Sequence, residues 1–166
     1  MLSKKTRPEK TTDDMARIAL FAGSFDPYTT GHHALVERAL QLFDKVIVAV
    51  GRNTSKTGRP APEERVATIA AYYSNDSRVE VCAYDGLTMD FAREVGATAL
   101  LRGVRNVKDF EYERELADIN RQFGSIDTVL LMSEPGYTAV SSSVVRELMS
   151  YGKDVSELLP QPDKNK

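Results

Sequence analysis

Tryptophan is absent from this chain of 166 residues, cysteine occurs once and histidine twice. Neither sign of charge dominates, with 22 Lys and Arg against 24 Asp and Glu. Each shortage excludes something. A lone cysteine, Cys82, rules out an internal disulfide and a cysteine-built metal site. Its place in the apolar run RVEVCAY reads as a small buried hydrophobe. Balanced charge argues against a dedicated duplex-DNA binder or a polybasic membrane anchor, so neither nucleic acid nor membrane is expected as a partner. No apolar run is long enough to span a bilayer and no secretory segment follows the start, so a soluble cytoplasmic protein is the expectation. Small anionic ligands are not excluded. The stretch GRNTSKTGRP carries Arg52, Lys56 and Arg59 and no acid.

What is present has a regular order. Residues 1–14 are polar and without apolar periodicity, which predicts a disordered extension, and residues 161–166 read as a frayed tail. Between them, residues 15–160 read as one domain, long enough to bury a real core. Short apolar runs (17–22, 45–51, 78–84, 98–103, 127–132) predict strands. Segments of helical period (33–43, 62–73, 88–97, 109–123, 141–152) alternate with them. Pro62, Glu63 and Glu64 mark a helix start, with proline and acids in the first turn. Strand–helix alternation with apolar strands predicts an α/β fold: a single doubly wound, mainly parallel five-stranded sheet, covered on both faces. Ligands in such sheets bind beyond the carboxyl ends of the strands, where strand order reverses.

The loops after the first, second, fourth and fifth strands therefore carry the chemistry. In GSFDPYTTGHHALVERAL both histidines, His32 and His33, stand at a loop–helix junction. Gly23 permits close backbone approach, Ser24 offers a hydroxyl, and Gly31 leaves room before a helix whose first N–H groups are free to meet an anion. In LLRGVRNVKDFEYE, Arg102 follows a buried strand, Gly103 opens the turn and Arg105 comes two residues later. Two guanidiniums at a strand end suit phosphate oxygens. In the helix that follows, Tyr112, Leu116, Ile119 and Phe123 fall in one apolar stripe, with Glu113 and Asn120 along one border. In EPGYTAVSSSVVRE, three serines precede the last helix; one suits an N-cap, and three hydroxyls with free N–H groups also make a phosphate cradle.

The strings GSFDPYTTGH, RGVRNVKDFEYE and SSSVVRE together resemble the bacterial phosphopantetheine adenylyltransferases, members of the nucleotidyltransferase superfamily with the T-x-G-H signature. The resemblance runs from about Arg17 to Pro160. It implies a Rossmann-like nucleotidyltransferase fold and a reversible reaction: ATP and 4′-phosphopantetheine give dephospho-CoA and pyrophosphate, with magnesium. It also implies a homohexamer and coenzyme A as a feedback ligand. By position, His32 resembles the histidine that stabilises the transition state at the α-phosphate. Ser24 resembles a hydroxyl residue touching both substrates, Lys56 the lysine near the transferred phosphates, and Arg102 the arginine holding the phosphate of phosphopantetheine. Phe25, Gly103, Arg105 and Glu113 resemble ATP contacts, and Tyr137, Thr138, Ala139, Val140, Ser141, Ser142 and Ser143 the segment around adenine and phosphates. Leu87, Thr88, Leu116 and Asn120 would line the pantetheine arm. His33, about one hundred degrees further round the helix, is expected to be incidental.

The chemistry is consistent with this. A phosphate monoester has a second pKa of about 6, so much of the acceptor is already a dianion at neutral pH and needs no protein base. Positioning and charge stabilisation are what remain for the enzyme to supply. With an ordinary pKa of about 6.5, His32 would titrate in the same region and could act as a cation. Two other readings stay open on sequence alone: a sister enzyme acting on nicotinamide mononucleotide or a cytidylyl substrate, and a non-catalytic nucleotide-binding module.

Overall fold

The five apolar runs form five parallel strands: β1 (Ile18–Gly23), β2 (Lys45–Gly51), β3 (Val79–Tyr84), β4 (Ala99–Val104) and β5 (Asp127–Met132). The computed structural model describes residues 15–52 and 59–162, so the readings made for residues 1–14, for Lys56 and for residues 163–166 lie outside the described residues. The central strands are near-continuous in Val, Ile, Leu and Ala because both of their faces are covered; Val46 to Val50 of β2 are all buried. Five helices intervene: α1 (Thr30–Ala39), α2 (Pro62–Tyr72), α3 (Thr88–Glu94), α4 (Val107–Gly124) and α5 (Ser142–Ser150). Side chains of Thr29, Asn106 and Ser141 cap α1, α4 and α5, while α2 starts on Pro62 with Glu63 and Glu64 in its first turn.

Strand order is β3-β2-β1-β4-β5. The chain winds outward from β1 in one direction, returns, and winds outward in the other, so the reversal lies between β1 and β4. Alternate residues of each strand face opposite sides. Phe21, Val46, Val48, Val50 and Leu101 pack with Leu35, Val36 and Ala39 of α1 and Ile69 of α2. Leu20, Ala22, Ile47, Ala49 and Leu100 pack with Ala92 of α3 and Ile126 on the other face. β1 is in register with β2 from Ile18 to Gly23, and β4 with β5 from Ala99 to Val104. Between β1 and β4 only Ala19↔Ala99 and Leu20↔Leu100 are paired. The two strands then part toward their carboxyl ends, and a crevice opens there.

Three expectations change. Gly103 does not open a turn; it lies inside β4. A Cβ there would stand 2.4 Å from Leu35 Cδ1, so the residue must be small for α1 to lie close on the strand. The predicted apolar stripe of the fourth helix is not its buried face. Tyr112, Ile119 and Phe123 are exposed, Phe123 at 65%, and the buried positions of α4 are Glu113 and Gly124. The sheet offers α4 the flank of β4 and β5, where Arg102 needs a carboxylate, and the stripe turns outward. Finally, α1 stops at Ala39 rather than at 43, although Phe43 still packs on the core.

Candidate active site

The parting of β1 and β4 leaves a cavity of about 360 Å³ at the strand ends, walled by the β1–α1 loop, the start of α1, the end of β4, the first turns of α4 and the segment before α5. Of the residues singled out in the sequence, Ser24, Phe25, His32, Arg102, Gly103, Arg105, Glu113, Tyr137, Val140, Ser141 and Ser142 line it. A Cβ on Gly31 would lie 3.6 Å from both Thr29 Oγ1 and Tyr137 Cβ, so the bare glycine keeps that wall open. Phe25 has φ +45° and is buried, its ring within 3.0 Å of where a Gly23 Cβ would be. A left-handed phenylalanine is uncommon and marks a loop fixed by its surroundings.

His32 is the third residue of α1 and closes a capping box with Thr29. The Thr29 N–H donates to His32 Nδ1 at 3.0 Å, and the His32 N–H donates to Thr29 Oγ1 at 3.4 Å. A nitrogen that accepts a backbone N–H carries no proton, so in the neutral ring the proton is on Nε2. The ring stacks on Tyr28 at 5.4 Å and 25°, and meets Phe25 edge-on at 5.1 Å and 89°. Burial, and then the positive charges of Arg105 and Arg102, lower its pKa to about 4. This corrects the expectation of a histidine titrating near 6.5. At ordinary pH His32 is a neutral N–H donor of fixed tautomer.

Arg102 crosses the gap between the parted strands. Its Nη1 donates to the carbonyl of Ala22 at 2.9 Å, and Nε and Nη2 donate to the two oxygens of Glu113 at 2.9 and 2.7 Å. Burial opposes its charge, but the hydrogen-bonded carboxylate outweighs that and raises its pKa. Glu113 is 6% exposed, so the pair is a two-pronged anchor with little solvent around the acid. Arg105 is held similarly, with Nε and the backbone N–H on Asp109 Oδ2 at 2.8 and 3.2 Å. Those hydrogen bonds hold the Asp109 carboxyl below its usual range.

The three serines divide their work. Ser141 Oγ caps α5 by accepting from Val144 N–H at 3.3 Å. Ser142 donates to the Pro27 carbonyl at 2.8 Å and ties α5 to the β1–α1 loop. Ser143 accepts from Arg146 Nη2 at 3.2 Å and lies outside the cleft lining. Arg146 and Arg65 donate to the carbonyls of Asp26 and Ser24, bracing the same loop. The expected cradle of three hydroxyls is therefore two hydroxyls and a helix start. Thr138 and Ala139 also fall outside the lining, as do Leu87, Thr88, Leu116 and Asn120 on α3 and α4. Thr88 Oγ1 is hydrogen-bonded to the Tyr84 hydroxyl at 2.7 Å.

The sequence reading missed Thr29, Tyr28, Asp109 and Tyr112. Thr29 had a signal, a threonine three residues before a polar side chain at a helix start. Asp109 had one too, an acid four residues after Arg105 in the first turn of the predicted helix. His33, expected to be incidental, has its Nδ1 2.9 Å from the Tyr73 hydroxyl and its ring stacked on Tyr73 at 5.2 Å.

A crevice lined by two arginines at the switch point of a parallel sheet, facing a helix N-terminus, is the place where doubly wound folds of the nucleotide-binding type hold their ligands. The sequence model of the cytidylyltransferase-like family matches residues 20–148. Among solved structures, a bifunctional NMN adenylyltransferase/ADP ribose pyrophosphatase from Francisella tularensis superposes with a TM-score of 0.66 at 17% identity, over 90% of this chain and 46% of that longer one. Among curated proteins, the phosphopantetheine adenylyltransferase of Porphyromonas gingivalis is 53% identical over 87% of this chain and 94% of its own length. That of Bacteroides fragilis is 48% identical over 87% and 97%. The chain belongs to the phosphopantetheine adenylyltransferase family.

Proposed function

We propose that this chain transfers the adenylyl group of ATP to 4′-phosphopantetheine, reversibly, giving dephospho-CoA and pyrophosphate in the penultimate step of coenzyme A synthesis. The observation that carries the chemistry is His32, whose Nδ1 is tied to Thr29 so that Nε2–H is the donor left for the cleft. In the forward step an oxygen of the acceptor phosphate attacks the α-phosphorus. The bond from that phosphorus to the bridging oxygen breaks, and its electron pair leaves on pyrophosphate. A dianionic acceptor has no proton to lose, so no general base is required. His32 and the free N–H groups of α1 stabilise charge on the α-phosphate oxygens as it develops.

The remaining roles follow from placement and from the family resemblance. Arg102 holds the acceptor phosphate, and Glu113 fixes the direction of that guanidinium instead of meeting the nucleotide itself. Arg105, Gly103, Ser24, Phe25 and the segment Tyr137 to Ser143 hold ATP. Lys56 takes its role at the transferred phosphates from the family resemblance alone. Leu87, Thr88, Leu116 and Asn120 receive the pantetheine arm beyond the cleft.

Magnesium, in this reading, arrives on the triphosphate and offsets its charge. Among the described residues no group of three or more His, Cys, Asp or Glu is placed to hold a metal ion. The two cleft carboxylates, Glu113 and Asp109, are each already engaged by an arginine. Coenzyme A, which shares the product's chemistry, would compete in the same cleft. A homohexamer would cover the outward Tyr112, Ile119 and Phe123 of α4, which a lone subunit leaves in water. Among the described residues no helix is long and apolar enough to cross a membrane, and the cytoplasm, where ATP is supplied, is the proposed location.

The test is pyrophosphate release from ATP with each acceptor in turn. Release should depend on 4′-phosphopantetheine and be absent with nicotinamide mononucleotide. Release indifferent to 4′-phosphopantetheine would sink this reading.

A further inference from the structure

Behind the cleft, a second set of rings joins the two neighbouring histidines by a route outside the backbone. Tyr28 is 3% exposed and lies flat against His32. Its hydroxyl is 2.6 Å from the hydroxyl of Tyr73, which is 2.9 Å from His33 Nδ1. Tyr73 comes from the end of α2, forty-five residues from Tyr28 in sequence. One order of donors satisfies every hydroxyl. With the His33 proton on Nε2, which faces Glu37 at 4.0 Å, Nδ1 accepts from Tyr73, whose oxygen is then free to accept from Tyr28. Every hydroxyl proton in the chain has an acceptor.

We infer that Tyr28 is a positioning residue for His32, and that the buried Tyr28–Tyr73–His33 hydrogen-bond chain fixes the ring on which the His32 imidazole lies. The inference rests on the reading of His32 as the donor to the α-phosphate. Thr29 fixes one edge of the imidazole, its N–H and Oγ1 lying 3.0 and 3.1 Å from Nδ1, but contacts at one nitrogen leave the ring plane free to swing about that edge. A flat contact below and the Phe25 edge beside it remove that freedom. Tyr28 is in turn a large ring in a loop, and a ring in a loop is only as rigid as its far end. Its hydroxyl anchors that end to α2. A donor aimed at a developing charge works only if it is aimed in advance, so slack here is paid in turnover and not in substrate binding.

Three variants test this. Tyr28→Leu removes the floor, and kcat should fall about tenfold, the worth of a good aromatic pair, with the KM of both substrates within about twofold. Tyr73→Phe, one ring further back, leaves the Tyr28 hydroxyl buried without its partner and should lower kcat by about threefold to tenfold. The double variant Tyr28→Phe/Tyr73→Phe removes both hydroxyls together and keeps both rings; it should regain the stability that the stranded hydroxyl costs Tyr73→Phe, while kcat stays as low as in Tyr73→Phe because the anchor is still absent. In parallel, nitrogen-15 NMR of the histidine rings reads the His32 tautomer without needing turnover. The wild-type Nδ1 and Nε2 signals should be widely separated, and Tyr73→Phe should broaden them or draw them together. Unchanged His32 ring signals in both Tyr28→Leu and Tyr73→Phe would overturn the inference, as would losses that fall on KM alone. Failure of the wild type to use 4′-phosphopantetheine would count against the proposed reaction while leaving the NMR result to decide this point.

Discussion

The two walls of the cleft are built differently. The histidine wall belongs to the α1–α2 side, where Phe21, Phe25, Tyr28, Leu35 and Val36 are buried together beside the His32 imidazole that lines the cleft. The arginine wall belongs to β4 and α4, where charge is held by charge and the helix turns its apolar stripe to solvent. The first wall fixes a neutral donor by packing. The second fixes two cations by paired carboxylates, which direct them toward the cleft. In the proposed reaction the first wall serves turnover and the second affinity.

The sharpest break in that division is His32→Ala. It should lower kcat by roughly a hundredfold to a thousandfold, about 2.7–4 kcal/mol, with ATP affinity by calorimetry nearly intact. An equal loss of ATP affinity would merge the two walls. Next comes Arg102→Ala, which should weaken 4′-phosphopantetheine more than ATP, with Arg105→Ala showing the reverse preference. Arg102→Ala should also cost about 3 kcal/mol of stability, because it strands the buried Glu113 carboxylate. Adding Glu113→Gln should return much of that stability in a denaturant titration and none of the affinity. Smaller is Gly103→Ala, at about 1–3 kcal/mol, as the new methyl forces Leu35 aside.

The last expectation concerns pH, and at neutral pH it has no effect on stability. Folding lowers the His32 pKa from 6.5 to about 4, so between those values the unfolded chain binds a proton that the folded one does not. Stability should therefore be full above about pH 6.5 and decline as pH falls toward 4, and His32→Asn should flatten that part of the curve in thermal melts. For turnover, His32 stays neutral through the range in which the acceptor loses its second proton. The acidic limb should sit near pH 6, about the pKa of a phosphate monoester, and should move to lower pH with a phosphorothioate acceptor. A limb that stayed in place would return the titration to the protein.

The strands and the order of elements were legible because the signals are local: apolar runs such as KVIVAVG, a capping serine before the last helix, proline at Pro62. The motif residues were legible by resemblance, and His32, Arg102 and Arg105 do meet in one crevice. What escaped was pairwise and distant. That Arg102 would spend two nitrogens on Glu113, eleven residues on, depends on how α4 crosses β4. That Tyr73 would reach Tyr28 and His33 depends on α2 lying beside α1, and no spacing along the chain encodes it. The outward stripe of α4 misled for a related reason: helical periodicity reports an apolar face, and leaves open whether a subunit's own core or another surface receives it.

The short pairing between β1 and β4 has a mechanical meaning. Six-residue ladders flank a two-residue seam, and past that seam the halves of the sheet are clasped by one guanidinium reaching the Ala22 carbonyl. One side chain thus closes the open end of the seam and lines the crevice at the same point, so the width of the crevice mouth and the placement of that cation are set together.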